Sequence, residues 1–184
     1  MNYPPVLSGN QVILRAPTID DIDNICAQCK DKAILNGTGI PFNPYRLEHA
    51  RDFVKSTRKD HKKGIAQHWA IVDCEANRLA GMISIVFSKR ENRSAEIGYW
   101  LGRSHWSKGM MKEALQLCLK AAFKAYKLNR VFAHVFPSNE RSIKLLTRSG
   151  FSLEGTLRRT RKCRGRWKDE LLFSILSGEW RKAT

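Results

Sequence analysis

The residues with the clearest chemical potential lie between positions 98 and 115, GYWLGRSHWSKGMMKEAL. An apolar, strand-like run passes into a polar loop, and Gly109 opens an amphipathic helix. The first amides of a helix have no intrahelical acceptors, and the aligned peptide dipoles put partial positive charge at that end. Such a terminus is suited to holding phosphate groups. Gly109 lets the backbone approach an anion closely, and Lys108 adds a cation. Many strand-loop-helix units bind nothing, so this segment alone only outlines an anion site. Glu96 lies on the same strand, and by alternation it shares a face with Gly98 and Trp100. His134 falls in another strand and reads as a packed or hydrogen-bonded residue. Cys26 and Cys29 form a CxxC inside a helix, without the second pair that a zinc site needs. They read as two small residues one turn apart, with a redox role as the alternative, and no metal site is expected.

Positioning these residues requires a particular order of elements, and the periodicities supply one. Residues 11–15 (QVILR) read as a strand. Thr18, with Asp21 three residues on, starts a helix to about Lys30. A loop rich in Gly, Pro and Asn spans 36–44. Leu47 to about Lys59 is a second helix, with Ala50, Phe53 and Val54 on one face. Residues 68–72, 79–87 and 95–101 form a three-strand meander. Gly109 to about Lys124 is a helix with Ala114, Leu115, Cys118, Ala121 and Ala122 at helical spacing. Residues 130–136 are a strand. Ser138 or Asn139 caps a short helix that Gly150 ends. Residues 151–159 and 169–176 form a terminal hairpin around a basic turn. The order predicts an α+β domain: a mixed, mostly antiparallel twisted sheet of about six to seven strands flanked by about four helices. No linker divides residues 1–184, which read as one domain.

Lys and Arg number 33 against 17 Asp and Glu, a formal charge of +16. A field of that sign favours nucleic acid, the ribosome, anionic membranes, acidic proteins or polyphosphate ligands. The alternative is a solvated basic surface. Five cysteines, an odd number, argue against a closed disulfide framework and fit a reducing compartment. Residues 1–7 lack the pattern of a signal peptide, and no apolar run reaches the roughly 18–20 residues of a membrane span. A soluble, cytoplasmic protein with no membrane partner is expected.

Three segments, in order, resemble the motifs of GNAT-superfamily N-acetyltransferases of the RimJ/RimL-like branch. Residues 106–114, WSKGMMKEA, are similar to WGKGxxxEA. Residues 139–155, NERSIKLLTRSGFSLEG, are similar to NxxSxxLLxxxGFxxEG. Residues 165–174, GRWKDELLFS, look like the closing G-x-W-x-D strand, and LRAPTIDD at 14–21 resembles the opening strand and helix. The resemblance covers nearly the whole chain. It departs from the general pattern at Trp106, where Arg or Gln is usual, at Ser107, where glycine is common, and at Met111, where Gly or Ala is frequent.

The resemblance implies the GNAT fold and acetyl-CoA as acyl donor, with transfer by direct attack in a ternary complex and coenzyme A as product. It implies that the backbone of Trp100 and Leu101 pairs with the pantetheine arm. Amides in the loop opened by Trp106, from Ser107 through Lys108, Gly109 and Met110 to Met111, hold the pyrophosphate. Asn139 hydrogen-bonds the cofactor. The tyrosine that many members carry seven residues after this Asn is Leu146 here. The RimL-like solution is a serine, Ser142, which serves as proton donor to the departing thiolate or only hydrogen-bonds the cofactor or helix. Glu96 is the base, or else a strand-surface carboxylate paired with an arginine. Glu113 is structural. Arg158, Arg159, Arg161, Lys162, Arg164, Arg166 and Lys168 fall beside the acceptor entrance, as a rim attracting an acidic protein, an acidic N-terminus or rRNA, or as a solvated turn. The implied acceptor is the α-amino group of a protein such as a ribosomal protein. The alternatives are a small amine (polyamine, amino sugar or antibiotic), or a ribosome- or RNA-binding module without catalysis. A monomer or homodimer is expected.

Overall fold

In the computed structural model, which describes residues 4–183, the strands assemble into one eight-stranded sheet, the central β-branched and apolar runs buried almost throughout and the flanking ones alternating. The elements are β1 (Leu7–Ser8), β2 (Val12–Arg15), α1 (Ile22–Cys29), α2 (Lys32–Gly37), α3 (Leu47–Lys63), β3 (Ala66–Asp73), β4 (Arg78–Phe87) and β5 (Ser94–Leu101). They continue with α4 (Met110–Lys120), β6 (Arg130–Val135), α5 (Glu140–Arg148), β7 (Ser152–Cys163), β8 (Arg166–Leu176) and α6 (Ser177–Ala183). The sheet runs β1-β2-β3-β4-β5-β6-β8-β7. Every neighbouring pair is antiparallel except β5 and β6. The α+β class and the mixed, mostly antiparallel sheet with four principal helices agree with expectation.

The eighth strand is β1, two residues long and too short to leave a periodic signal. The segment before the expected Gly/Pro/Asn loop also forms a helix, α2, capped by Asp31, whose carboxylate accepts from the Ala33 amide at 2.7 Å. The terminal hairpin is longer than expected. Its turn shrinks to Arg164 and Gly165, at φ 50° and 79°, the paired left-handed residues of a tight hairpin turn. Of the basic residues expected in a loop, Arg161 and Lys162 lie on β7 and Arg166 and Lys168 on β8, while Arg164 stays in the turn.

The two faces of the sheet carry separate apolar clusters. On one face Leu14, Trp69, Ile83, Ile97 and Val131 pack against Leu115 and Cys118 of α4 and Leu146 of α5. On the other, Ala70, Val72, Leu79 and Met82 pack against Ile25, Cys26 and Cys29 of α1 and Ala50 and Val54 of α3. The CxxC thiols therefore belong to the core, and burial pushes the Cys29 thiol up to about 12, against thiolate chemistry. Leu146, at the position where many relatives carry tyrosine, is fully buried.

Glu113 fastens the opening of the chain to α4. Its carboxylate accepts from the amides of Asn10, Gln11 and Val12 at 2.6, 2.8 and 3.2 Å. Its place in the first helical turn adds a favourable dipole interaction. Replacing Glu113 with alanine orphans three amides, and a loss of about 2–3 kcal/mol is expected in urea unfolding. An unchanged unfolding midpoint would count against this role.

Candidate active site

The sheet opens between β5 and β6. The parallel ladder covers only Ser94↔Arg130 to Glu96↔Phe132, while β5 remains paired with β4 up to Gly81↔Leu101. The far half of β5 therefore has one edge without a strand neighbour. The Gly102 amide donates to the Ala80 carbonyl at 2.8 Å. Alternation then turns the backbone groups of Trp100, Gly98 and Glu96 toward β4, and those of Tyr99 and Leu101 toward the opening. The expected pairing of Trp100 with an added strand thus shifts by one residue: Tyr99 and Leu101 face the gap, and the Trp100 side chain packs against the α1/α3 cluster.

At the end of β5 the chain coils into the tip of α4. Ser107 and Gly109 both have positive φ, 63° and 84°. Such successive turns curl the backbone so that neighbouring amides converge as an anion cradle. The first α4 hydrogen bond runs from the Glu113 amide to the Gly109 carbonyl, so the preceding amides have no partner within the helix. Ser107, Lys108 and Gly109 are exposed. Met110 is buried and Met111 half-buried against the core, so at most their backbone serves the cradle. Trp106 organises the loop. Its indole donates to the Leu101 carbonyl at 2.7 Å, and the Arg141 guanidinium of α5 lies 4.3 Å from the ring centroid. The residue that departs from the family pattern thus holds a cation beside the loop by stacking. This geometry fits a diphosphate with an extended arm: an amide cup leading to an open strand edge.

Helix α5 borders the same opening. Asn139 caps it by accepting from the Ser142 amide at 3.2 Å, and its own amide donates to the Gly37 carbonyl of α2 at 2.9 Å. Ser142 Oγ lies 2.7 Å from the Tyr99 hydroxyl. Tyr99 was not anticipated. Its parity with Ile97 and Leu101 places it on the α4/α5 face, but its distant partner is invisible in sequence. Burial pushes the Tyr99 phenol up to about 12, against a smaller opposing effect of the Ser142 hydrogen bond, so the hydroxyl keeps its proton.

Glu96 stands on the opposite face, at the mouth of the opening. Its Oε1 lies 2.9 Å from His134 Nδ1 on β6. A carboxylate only accepts, so Nδ1 carries the hydrogen in this contact. Glu96 is therefore paired with a histidine rather than with an arginine, and the hydrogen-bonded reading of His134 holds.

The terminal hairpin closes one side. Arg164 donates to the Leu35 carbonyl at 3.3 Å and to Asn36 Oδ1 at 3.0 Å, and Arg161 pairs with buried Glu170 at 2.5 Å. Lys168 lies over Phe136 at 4.8 Å. These three hold the hairpin in place, while Arg158, Arg159, Lys162 and Arg166 stay exposed.

Comparison with known proteins agrees with this geometry. The family model for the acetyltransferase (GNAT) domain matches residues 11–152. The chain is 35% identical over 175 residues to the uncharacterized N-acetyltransferase p20 of Bacillus licheniformis, covering 95% of this chain and 97% of that one. It is 30% identical over 147 residues to the ribosomal-protein-serine acetyltransferase of Escherichia coli, covering 79% and 81%. The solved structure of RimL, a ribosomal L7/L12 α-N-protein acetyltransferase in complex with coenzyme A, superposes with a TM-score of 0.83 at 22% identity, covering 94% of this chain and 98% of that one. The chain belongs to the GNAT acetyltransferases and is an N-acetyltransferase whose acyl donor is acetyl-CoA. Among the described residues no helix is long and apolar enough to cross a membrane.

Proposed function

We propose that residues 1–184 act as one domain that acetylates the α-amino group of a protein, with Glu96 as base and the Tyr99–Ser142 pair as acid. The observation that carries this reading is the placement of the two groups. Glu96 with His134 lies on one face of β5, Tyr99 with Ser142 on the other, and the unpaired strand edge runs between them. The coenzyme supplies an acetyl thioester. Amides near Gly109, with Lys108 and Arg141, hold its phosphates. The backbone of Tyr99 and Leu101 aligns its arm, and Asn139 fixes the α5 start beside it. Glu96 removes a proton from the acceptor nitrogen, and the hydroxyl pair donates one to the leaving sulfur.

The basic rim favours a protein acceptor over a small cationic amine. Polyamines and amino sugars meet like charge at Arg158, Arg159, Lys162 and Arg166, whereas an acidic chain meets opposite charge. The similarity to a ribosomal-protein-serine acetyltransferase points the same way. The test is coenzyme A release with a panel of N-terminal peptides, polyamines and aminoglycosides. Peptides with acidic residues after the first position are expected to give the highest kcat/KM. Replacing the four exposed cations with glutamine should raise their KM by about tenfold, in line with roughly 1.4 kcal/mol of lost electrostatic attraction, and flatten its salt dependence. Preferential turnover of a polyamine or aminoglycoside would overturn the acceptor assignment.

A further inference from the structure

A row of polar groups crosses the sheet from α3 toward the opening. In register, His68 of β3 lies opposite Ser84 of β4, and Ser84 lies opposite Gly98 of β5. His68 Nδ1 is 2.8 Å from Ser84 Oγ, and His68 Nε2 is 3.2 Å from Asp60 Oδ2 on α3. The Asp60 carboxylate only accepts, so Nε2 carries the ring hydrogen and Nδ1 the lone pair. Ser84 then donates to Nδ1, and its own oxygen lone pairs remain for another donor. A Cβ built at Gly98 would meet nothing within 4 Å, so the space beside the serine is open. Glu96 is two residues along β5 and therefore on the same face. The order acid, imidazole, hydroxyl, open space has the connectivity of a proton relay.

The reaction needs more than one proton acceptor. An acceptor amine arrives near neutral pH as an ammonium ion, losing one proton before attack and a second as the amide forms. Glu96 takes one. We propose that Ser84, backed by His68 and Asp60, takes the other. The nitrogen bonds to the thioester carbonyl carbon and the carbon–sulfur bond breaks. One N–H proton passes to Ser84 Oγ while the serine proton passes to His68 Nδ1, and the sulfur leaves with the proton given by the Tyr99–Ser142 pair. The imidazolium faces Asp60 until it returns its proton to solvent; Glu96 likewise releases its proton to solvent, and the hydroxyl pair takes one back from solvent. One proton is released per turnover.

Ser84 is the residue that touches the acceptor; His68 and Asp60 are positioning residues. The groups around the ring are Asp60 and the edge-on Phe53 ring from α3, Ser84 from β4, and on β5 Gly98 and then Glu96. Burial lowers the His68 pKa despite Asp60, so the ring is neutral and able to receive a proton near pH 7.

The relay rests on the cleft between Glu96 and Tyr99 being the acceptor site, and two measurements test it separately. In the first, the probe is whichever peptide or amine in the panel the wild-type enzyme acetylates. Ser84→Ala and His68→Asn are expected to lower kcat by about ten- to fiftyfold, with acetyl-CoA affinity unchanged by calorimetry. Ser84→Thr keeps the hydroxyl and should restore most of the rate. The acid limb of kcat/KM should lose the ionisation of His68 in His68→Asn. Normal kcat and an unchanged pH profile in folded Ser84→Ala and His68→Asn would overturn the relay, whichever acceptor is used. In the second, ¹⁵N resonances of the unliganded full chain report the His68 tautomer. Protonation at Nε2, a titration midpoint below that of free imidazole and a shift in Ser84→Ala are expected. A hydrogen on Nδ1, or indifference to Ser84→Ala, overturns the relay without any acceptor. A panel in which only non-peptide amines react refutes the protein-acceptor reading and leaves both relay measurements readable.

Discussion

Glu96→Gln is expected to lower kcat/KM for the acceptor by about 10²–10³ at neutral pH, the range for loss of a general base. The substitution keeps the side-chain shape and one hydrogen-bond acceptor for His134 Nδ1, so a loss of this size reports proton transfer rather than collapse of the site. Acetyl-CoA affinity should stay near wild type, because the cradle at Gly109 is built from a different segment. The pH profile gives the sharper reading. On the proposed mechanism, a carboxylate already in place removes the proton in the wild-type enzyme. In Glu96→Gln the enzyme depends on acceptor already neutral in solution, so its rate should rise about tenfold per pH unit until the amine is deprotonated. For an α-amino group that plateau comes at about pH 8, and for a lysine-like amine above about pH 10. The position of the plateau therefore also tests the proposed acceptor. A variant with wild-type kcat/KM at pH 7 would return Glu96 to a purely structural pairing with His134. His134→Asn, which leaves the carboxylate but loses its orienting imidazole, should fall between the two enzymes.

The parts of this site that were legible in the sequence are local in the chain. The α4 tip could be read because strand, loop, left-handed glycine and amphipathic helix follow one another without interruption. The face of Glu96 could be read because strand parity needs only its neighbours. What stayed hidden depends on distant partners. Tyr99 and Ser142 are 43 positions apart, and Glu96 and His134 are 38 apart. Both pairings arise only when β6 and α5 return beside β5. The direction of the Tyr99 and Trp100 backbone groups depends on the register set by Gly102 against Ala80, which no periodicity records. The strand character of residues 160–163 and 166–168 was masked by charge. Long basic side chains occupy both exposed and half-buried positions there, so alternation of burial is not matched by alternation of polarity. In the sequence Trp106 shows only as a departure from the family pattern, where Arg or Gln is usual. Its use as a stacking surface for Arg141 requires the α5 helix to be in place.

The second large effect belongs to the acid side. Tyr99→Phe is expected to lower kcat by about 30–100-fold and Ser142→Ala by at least about tenfold, each with little change in acetyl-CoA affinity. A serine hydroxyl alone is a very weak acid, and a departing thiolate gains little from it. The phenol at 2.7 Å changes this, because the two hydroxyls share hydrogens and the more acidic member can supply the proton through the other. Two residues acting as one donor lose the same step when either is removed. The double variant should therefore be close to Tyr99→Phe rather than the product of the two losses. Burial holds the phenol pKa at about 12, above its ordinary 10. A group raised in this way stays protonated, and the donor intact, until pH approaches the raised value. Wild-type kcat should thus persist through pH 10, where a phenol in water is already half ionised. A thioester whose thiol is more acidic than that of coenzyme A needs less help in leaving, so it should narrow the gap between wild type and both variants. If the gap stays constant across leaving groups, the pair positions the coenzyme and donates no proton. If Ser142→Ala turns over at the wild-type rate under saturation, the serine leaves the mechanism and Tyr99 must act alone.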